Sequence, residues 1–151
     1  ALHLMPPKFR KKIKVFFIGP VKKEELKKIK KKIEFYKLNN LFKITGFINC
    51  SNLEILKKLD LVISLTKTFE GFGLSMAEAL MMKKPVLATK VGAITEFLNS
   101  KNSKLIKVEK KYELLNALID FIKNKKKWNL RALDGHKHIM KNFTTDIAAR
   151  K

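Results

Sequence analysis

Residues 61–89 read Leu61-Val-Ile-Ser-Leu-Thr-Lys-Thr-Phe-Glu-Gly-Phe-Gly-Leu-Ser-Met-Ala-Glu-Ala-Leu-Met-Met-Lys-Lys-Pro-Val-Leu-Ala-Thr89. Leu61 to Thr66 is a run of β-formers, apolar along its length, and predicts a strand; Pro85 to Thr89 predicts another. Between them lies a loop with Gly71 and Gly73, followed by a helix over Leu74 to Met82. Strands apolar throughout, separated by helices, belong to parallel sheets covered on both faces.

The same alternation extends in both directions. Lys14 to Gly19 predicts a buried strand stopped by Gly19-Pro20. From Lys22 to Leu38, Leu26, Ile29, Ile33 and Tyr36 recur at helical spacing with Lys on the other faces, and Asn39-Asn40 ends the pattern. Leu41 to Thr45 predicts a strand closed by Gly46. Ser51 with Glu54 three residues on is a capping-box signature for a short helix carrying Leu53, Leu56 and Leu59. Beyond the central stretch, Ala93 to Leu98 predicts a short helix and Lys104 to Val108 a strand. After Lys110 the pattern is helical: Leu114, Leu115, Leu118, Ile119 and Ile122 form one stripe, and a further helix spans Asn129 to Asn142. The expected fold is α/β, a Rossmann-like parallel sheet in a single domain over residues 1–151, with a helical part from about 111 to 151.

Composition narrows the function classes. The 151 residues carry 34 Lys and Arg against 13 Asp and Glu, a formal charge of +21, so anionic partners are attracted without being selected. The excess is Lys rather than Arg, and Phe and Tyr follow core periodicity instead of forming a stacking platform; a nucleic-acid module is therefore the weaker alternative. For the basic helix from Lys22 to Lys37 two readings stand: an anionic membrane surface or a solvated face. Lysines and acids interrupt every apolar run, so no segment spans a bilayer. Ala1 to Pro7 does not read as a signal peptide, and the single Cys50 suits a reducing compartment; the expected location is the cytoplasm, with a peripheral membrane position as the variant. His136 and His138 are two apart and no Asp-x-Asp motif occurs, so no metal or other cofactor is expected.

In an open parallel sheet, ligands bind beyond the carboxyl ends of strands, which singles out the loop from Thr66 to Glu78. Gly71 and Gly73 let backbone approach a ligand, and the amides of Leu74 and Ser75 open a helix whose dipole favours a diphosphate. Glu70 and Glu78 bracket the loop as hydroxyl acceptors. A polyol joined to phosphate fits this arrangement; a glycine-rich turn with Glu78 as an ordinary first-turn acid is the other reading. Ser75 lacks the His and Asp partners of a nucleophile. Trp128, Met81 and Met82 read as core or helix-packing residues.

Glu70-Gly-Phe-Gly-Leu-Ser-Met-Ala-Glu-Ala-Leu80, Lys84-Pro-Val-Leu-Ala-Thr89 and Val91-Gly-Ala-Ile-Thr-Glu96 resemble the C-terminal, donor-binding domain of retaining GT-B glycosyltransferases with a Glu-x7-Glu motif. Phe16 to Gly19, Ile44 to Phe47, Leu59 to Ser64 and Lys104 to Val108 resemble that family's successive strands, so the resemblance covers roughly residues 13 to 145. It implies a nucleotide-diphosphate sugar as donor, with Glu78 on the ribose and Glu70 near the sugar ring as the catalytic residue. The backbone of Gly71, Phe72, Gly73, Leu74 and Ser75 is implied to hold the sugar and diphosphate, Phe47 to contact the base, and Thr66 and Gly19 to complete the donor site. No metal is implied.

The resemblance also implies parts that the sequence lacks. The acceptor-binding N-terminal domain, the first strand of the C-terminal half and its basic phosphate-binding residues are expected to precede Ala1, leaving unpaired strand edges at Val15 to Ile18 and Leu61 to Thr66. Those strands then either close on each other, receive pairing from another chain, or leave the chain weakly stable. A fragment of this kind is expected to be inactive alone, working within a longer or two-chain enzyme that builds glycans or lipid-linked saccharides. The alternative is a non-catalytic or split-subunit donor-binding module.

Overall fold

The structure, a computed structural model, describes residues 1–49, 51–68, 71 and 73–143. The chain divides into two compact units, residues 1–50 and 51–151, each built around its own parallel sheet.

In the first unit a 3-10 turn at Leu2–Leu4 and one helical turn, α1 (Pro7–Arg10), precede β1 (Val15–Ile18), α2 (Lys23–Phe35) and β2 (Phe42–Gly46). β1 pairs with β2 in parallel, Val15 opposite Phe42 and Phe17 opposite Ile44, with a register shift between Phe17 and Ile18. Phe17 and Phe42 stack at 5.4 Å. α2 begins with Glu24 and Glu25, acids that suit the positive end of its dipole. It stops short of Asn39 because Lys37 takes a left-handed φ of 52° and Leu38 turns inward, buried.

β1 departs from its sequence reading as a buried strand: Phe16, Phe17 and Ile18 are 44%, 42% and 38% exposed. Composition marks a strand as apolar but does not supply neighbours, and among the described residues β1 has β2 as its one ladder partner. β1 pairs with β2 in one sheet, and the 61–66 strand takes part in the other.

The second unit runs α3 (Asn52–Lys57), β3 (Val62–Ser64), α4 (Leu74–Met81), β4 (Val86–Thr89), a 3-10 segment at Gly92–Glu96, β5 (Lys104–Ile106), α5 (Lys111–Lys123) and α6 (Lys125–Asn142). The sheet order is β3-β4-β5, all parallel, with Ile63 opposite Leu87 and Ala88 opposite Leu105. All four residues of β4 are buried, so both faces of the central strand are covered. α4 packs on β3, β4, α3 and α6; α5 packs on β5 and α6. Leu80, Ile94, Phe97 and Ile139 meet in the core cluster, each contributing about 1.5–3 kcal/mol by burial. Buried Asn102 accepts from the Asn99 amide at 2.8 Å and donates to the Phe97 carbonyl at 2.7 Å, tying the 97–103 segment ahead of β5.

Three expectations shift here. The 93–98 helix is a 3-10 segment over Gly92–Glu96. α6 starts at Lys125 rather than Asn129: the three lysines are good helix formers, and Trp128 is buried with its indole N–H bonded to Asp120. Trp128 is core as expected, whereas Met81, at the last position of α4, is 44% exposed.

Candidate functional site

The site is assembled where β3 ends and α4 begins. A cleft of about 590 Å³, within the size range of small-molecule sites, is lined by Val62, Ile63 and Ser64 of β3 and by Gly73, Leu74, Ser75 and Met76. It therefore runs along β3 to the N-terminus of α4.

Gly73 caps α4 at φ 72° and ψ 49°, a left-handed conformation that a side chain strains by roughly 1–2 kcal/mol. This turn leads into Leu74 and Ser75, the first residues of α4, which line the cleft. The amides of Leu74 and Ser75 have no acceptor among the described residues, while those of Met76 and Ala77 bond the Gly73 carbonyl at 2.9 and 3.2 Å. Leu74 is 68% exposed and Ser75 is exposed. Free amides at the positive helix end suit an anion. Gly71 differs in kind from Gly73: its φ is not in the left-handed region, and an added Cβ would meet nothing within 4 Å. Packing among the described residues does not demand that glycine.

Glu78 stands one turn into α4, half-buried, and its carboxylate accepts a hydrogen bond from the Asn52 side-chain amide at 3.2 Å. Asn52 opens α3, whose cap is the predicted one: the Ser51 hydroxyl accepts from the Glu54 amide at 3.3 Å. Thr66 follows β3; its carbonyl accepts from the buried Thr89 hydroxyl at 2.6 Å, and its own hydroxyl lies 3.4 Å from that of Ser64. That bond joins the ends of β3 and β4. Next in the loop, the Lys67 ammonium donates to the Glu109 carboxylate at 2.7 Å. The hydrogen bond first and the opposite charge second raise the Lys67 value and lower that of Glu109, but both side chains are well exposed, so the pair adds little.

Gly73, Leu74 and Ser75 line the cleft, Thr66 follows β3, Gly71 lies in the loop between Thr66 and Gly73, and Glu78 stands one turn into α4. Glu70 and Phe72 lie outside the described residues. Gly19 and Phe47 belong to the first unit: Gly19 follows β1 and its amide donates to Gly46 at 3.0 Å, and Phe47 follows β2 and is 79% exposed. Two residues escaped the sequence reading. Ser64 carried a signal, since it sits two before Thr66 and strand alternation puts both on one face. Asn52 carried none, because its partner is 26 positions away. The His residues hold no metal cluster: no group of three or more metal-binding side chains occurs among the described residues, and His136 Nδ1 pairs with the Met81 carbonyl at 2.9 Å. No described helix is long and apolar enough to cross a membrane.

Comparison with known proteins bears on the family and the fold. The family described as "Glycosyl transferases group 1" matches residues 1–133. No curated protein matches the sequence. Among solved structures, Anabaena Alr3699/HepE in complex with UDP superposes with a TM-score of 0.87 at 24% identity, covering 99% of this chain and 41% of that one. The C-terminal domain of the group 1 glycosyl transferase LpcC from Francisella tularensis gives 0.73 at 23% identity, over 89% of this chain and 90% of that one. Sucrose-phosphate synthase from Thermosynechococcus elongatus gives 0.80 at 19% identity, over 89% and 36%. The chain spans about two fifths of the length of the Anabaena protein, and nearly all of the Francisella domain.

Proposed function

Because the chain belongs to the glycosyl transferases group 1 family, we propose that it is the donor-binding part of an enzyme that transfers a sugar from a nucleotide-diphosphate sugar to an acceptor. The observation that carries this reading is the left-handed Gly73 cap, which leaves the Leu74 and Ser75 amides open beside a cleft of ligand size.

In this reading the diphosphate sits on the first turn of α4, where two amides and the helix dipole offset its charge without a metal. Gly71 lets the loop backbone reach the sugar-phosphate, and Glu78, steadied by Asn52, accepts from the ribose hydroxyls. Thr66 and the Ser64 hydroxyl line the strand side. The family resemblance assigns Phe47 to the base and Gly19 and Phe72 to the donor. Glu70 acts beside the sugar ring, and transfer retains the anomeric configuration. Release of the nucleoside diphosphate is the step these donors favour, since negative charge grows on the leaving phosphate as the glycosidic bond breaks. The acceptor is held by a further domain, in the same chain or a separate one, and residues 1–151 alone do not turn over. The enzyme works in the cytoplasm, consistent with its lone Cys50.

Isothermal titration of residues 1–151 with UDP, GDP and ADP, and with one sugar-linked form of each, tests this reading. One nucleotide binding at millimolar or tighter affinity, weakened about tenfold or more by Glu78→Ala, supports it. A folded protein that ignores all six removes it.

A further inference from the structure

α2 carries a surface that the donor site does not use. Its partly buried stripe is Leu26, Ile29 and Ile33, while every lysine from Lys22 to Lys32 on the remaining faces is exposed. Charge is uneven along the helix: residues 27–37 hold six Lys and one Glu, whereas Glu24 and Glu25 sit in the first turn. Phe35 ends the helix two positions beyond Ile33, roughly 200° around the axis, and is accordingly 78% exposed, outside the stripe that faces inward. Lys31 and Lys32 precede it by four and three residues and Lys28 by seven, so the ring stands on the outward pole among cations. Tyr36 meets Phe35 edge-on at 5.0 Å and stacks on His3 at 4.3 Å, which braces the aromatic end of the helix.

We propose that this face of α2 docks the protein on an anionic lipid bilayer, with Lys27, Lys28, Lys31 and Lys32 over the headgroups and Phe35 inserted between them. The charges are lysine point charges on a convex helix rather than arginine forks in a groove, and this suits a diffuse anionic plane better than a shaped ligand. A cluster of four to eight Lys on an amphipathic helix has the strength for such docking, and an apolar ring supplies the burial that charge alone lacks. The unit around it is uniformly permissive: residues 1–50 hold 14 Lys and Arg against three Glu.

Co-sedimentation of the whole chain with phosphatidylglycerol-containing vesicles, against pure phosphatidylcholine vesicles, tests the proposal. The chain sediments with the former only, less at high salt. Lys28→Glu, Lys31→Glu and Lys32→Glu together lower the partition coefficient about tenfold or more, and Phe35→Ser alone several-fold, at unchanged melting temperature. Reversing three charges elsewhere, at exposed Lys101, Lys107 and Lys110, lowers it less than about threefold. Equal losses from the two triple variants would reduce the surface to overall charge. Sedimentation unaffected by Phe35→Ser and by the α2 reversals, or binding of single-stranded RNA with vesicles ignored, would equally overturn it.

Discussion

The side-chain amide of Asn52 donates to the carboxylate of Glu78 across 3.2 Å, so the first residue of α3 holds an acid in the second turn of α4. The bond fixes which way the carboxylate points while leaving acceptor capacity for a ligand. Asn52→Ala at this exposed position leaves stability within about 0.5 kcal/mol. Nucleotide affinity falls about three- to tenfold, and a double-mutant cycle with Glu78→Ala shows the two losses to be non-additive. Calorimetric titration of the four proteins of the cycle checks both statements.

The two loop glycines separate folding from binding. Gly73→Ala forces a Cβ into left-handed backbone and costs about 1–2 kcal/mol in denaturant unfolding. Gly71→Ala meets open space and leaves stability within about 0.5 kcal/mol, yet lowers nucleotide-sugar affinity about tenfold if the loop backbone touches the donor. Loss of stability at Gly71, or of neither property at either position, would go against the site described.

Core packing between α4 and α6 depends on a third glycine. A Cβ at Gly135 would lie 2.6 Å from a methyl of Leu80, itself wholly buried. Gly135→Ala gains about 1 kcal/mol of helix propensity but is expected to be net destabilising by about 1 kcal/mol through overpacking. Leu80→Ala added to it relieves the clash, so the double variant is more stable than the sum of the single losses; chemical denaturation measures this.

Asp120 gives the second unit a pH signature. Burial pushes its carboxyl up, but hydrogen bonds from Asn124 and Trp128, with Lys127 and Arg131 nearby, outweigh that and hold it below the ordinary aspartate range. Both bonds are 2.7 Å long. A lowered folded-state value means that the stabilisation is complete above the unfolded-state value and disappears as pH falls through the folded one, below about pH 4. At neutral pH Asp120→Asn costs about 1 kcal/mol. Thermal melts of both proteins from pH 7 downward should converge in that acidic window.

Element types were readable because periodicity is local: Leu74 to Met82 could only bury one face as a helix, and Pro85 to Thr89 could only be covered on both sides as an inner strand. Burial was less readable. Phe16, Phe17 and Ile18 have the composition of an inner strand, yet their exposure depends on which strands pair with β1, and no residue of β1 encodes that. The α6 boundary failed for a related reason, since Lys125 to Lys127 look like a loop until Trp128 anchors the turn on Asp120. At the site, the Gly73 to Glu78 segment was legible because its geometry follows from one helix start. Asn52 reaches Glu78 only after α3 packs on α4, a relationship without a local pattern.

The central claim is that the first turn of α4 receives a nucleotide diphosphate, and amide chemical shifts read it directly. Titrating isotope-labelled protein with the nucleotide that binds should move the Leu74 and Ser75 amides most, saturably, with Glu78 following and Gly73→Ala suppressing the response. Saturable binding whose largest shifts lie away from α4, or binding that survives Gly73→Ala with Leu74 and Ser75 unmoved, would contradict the account.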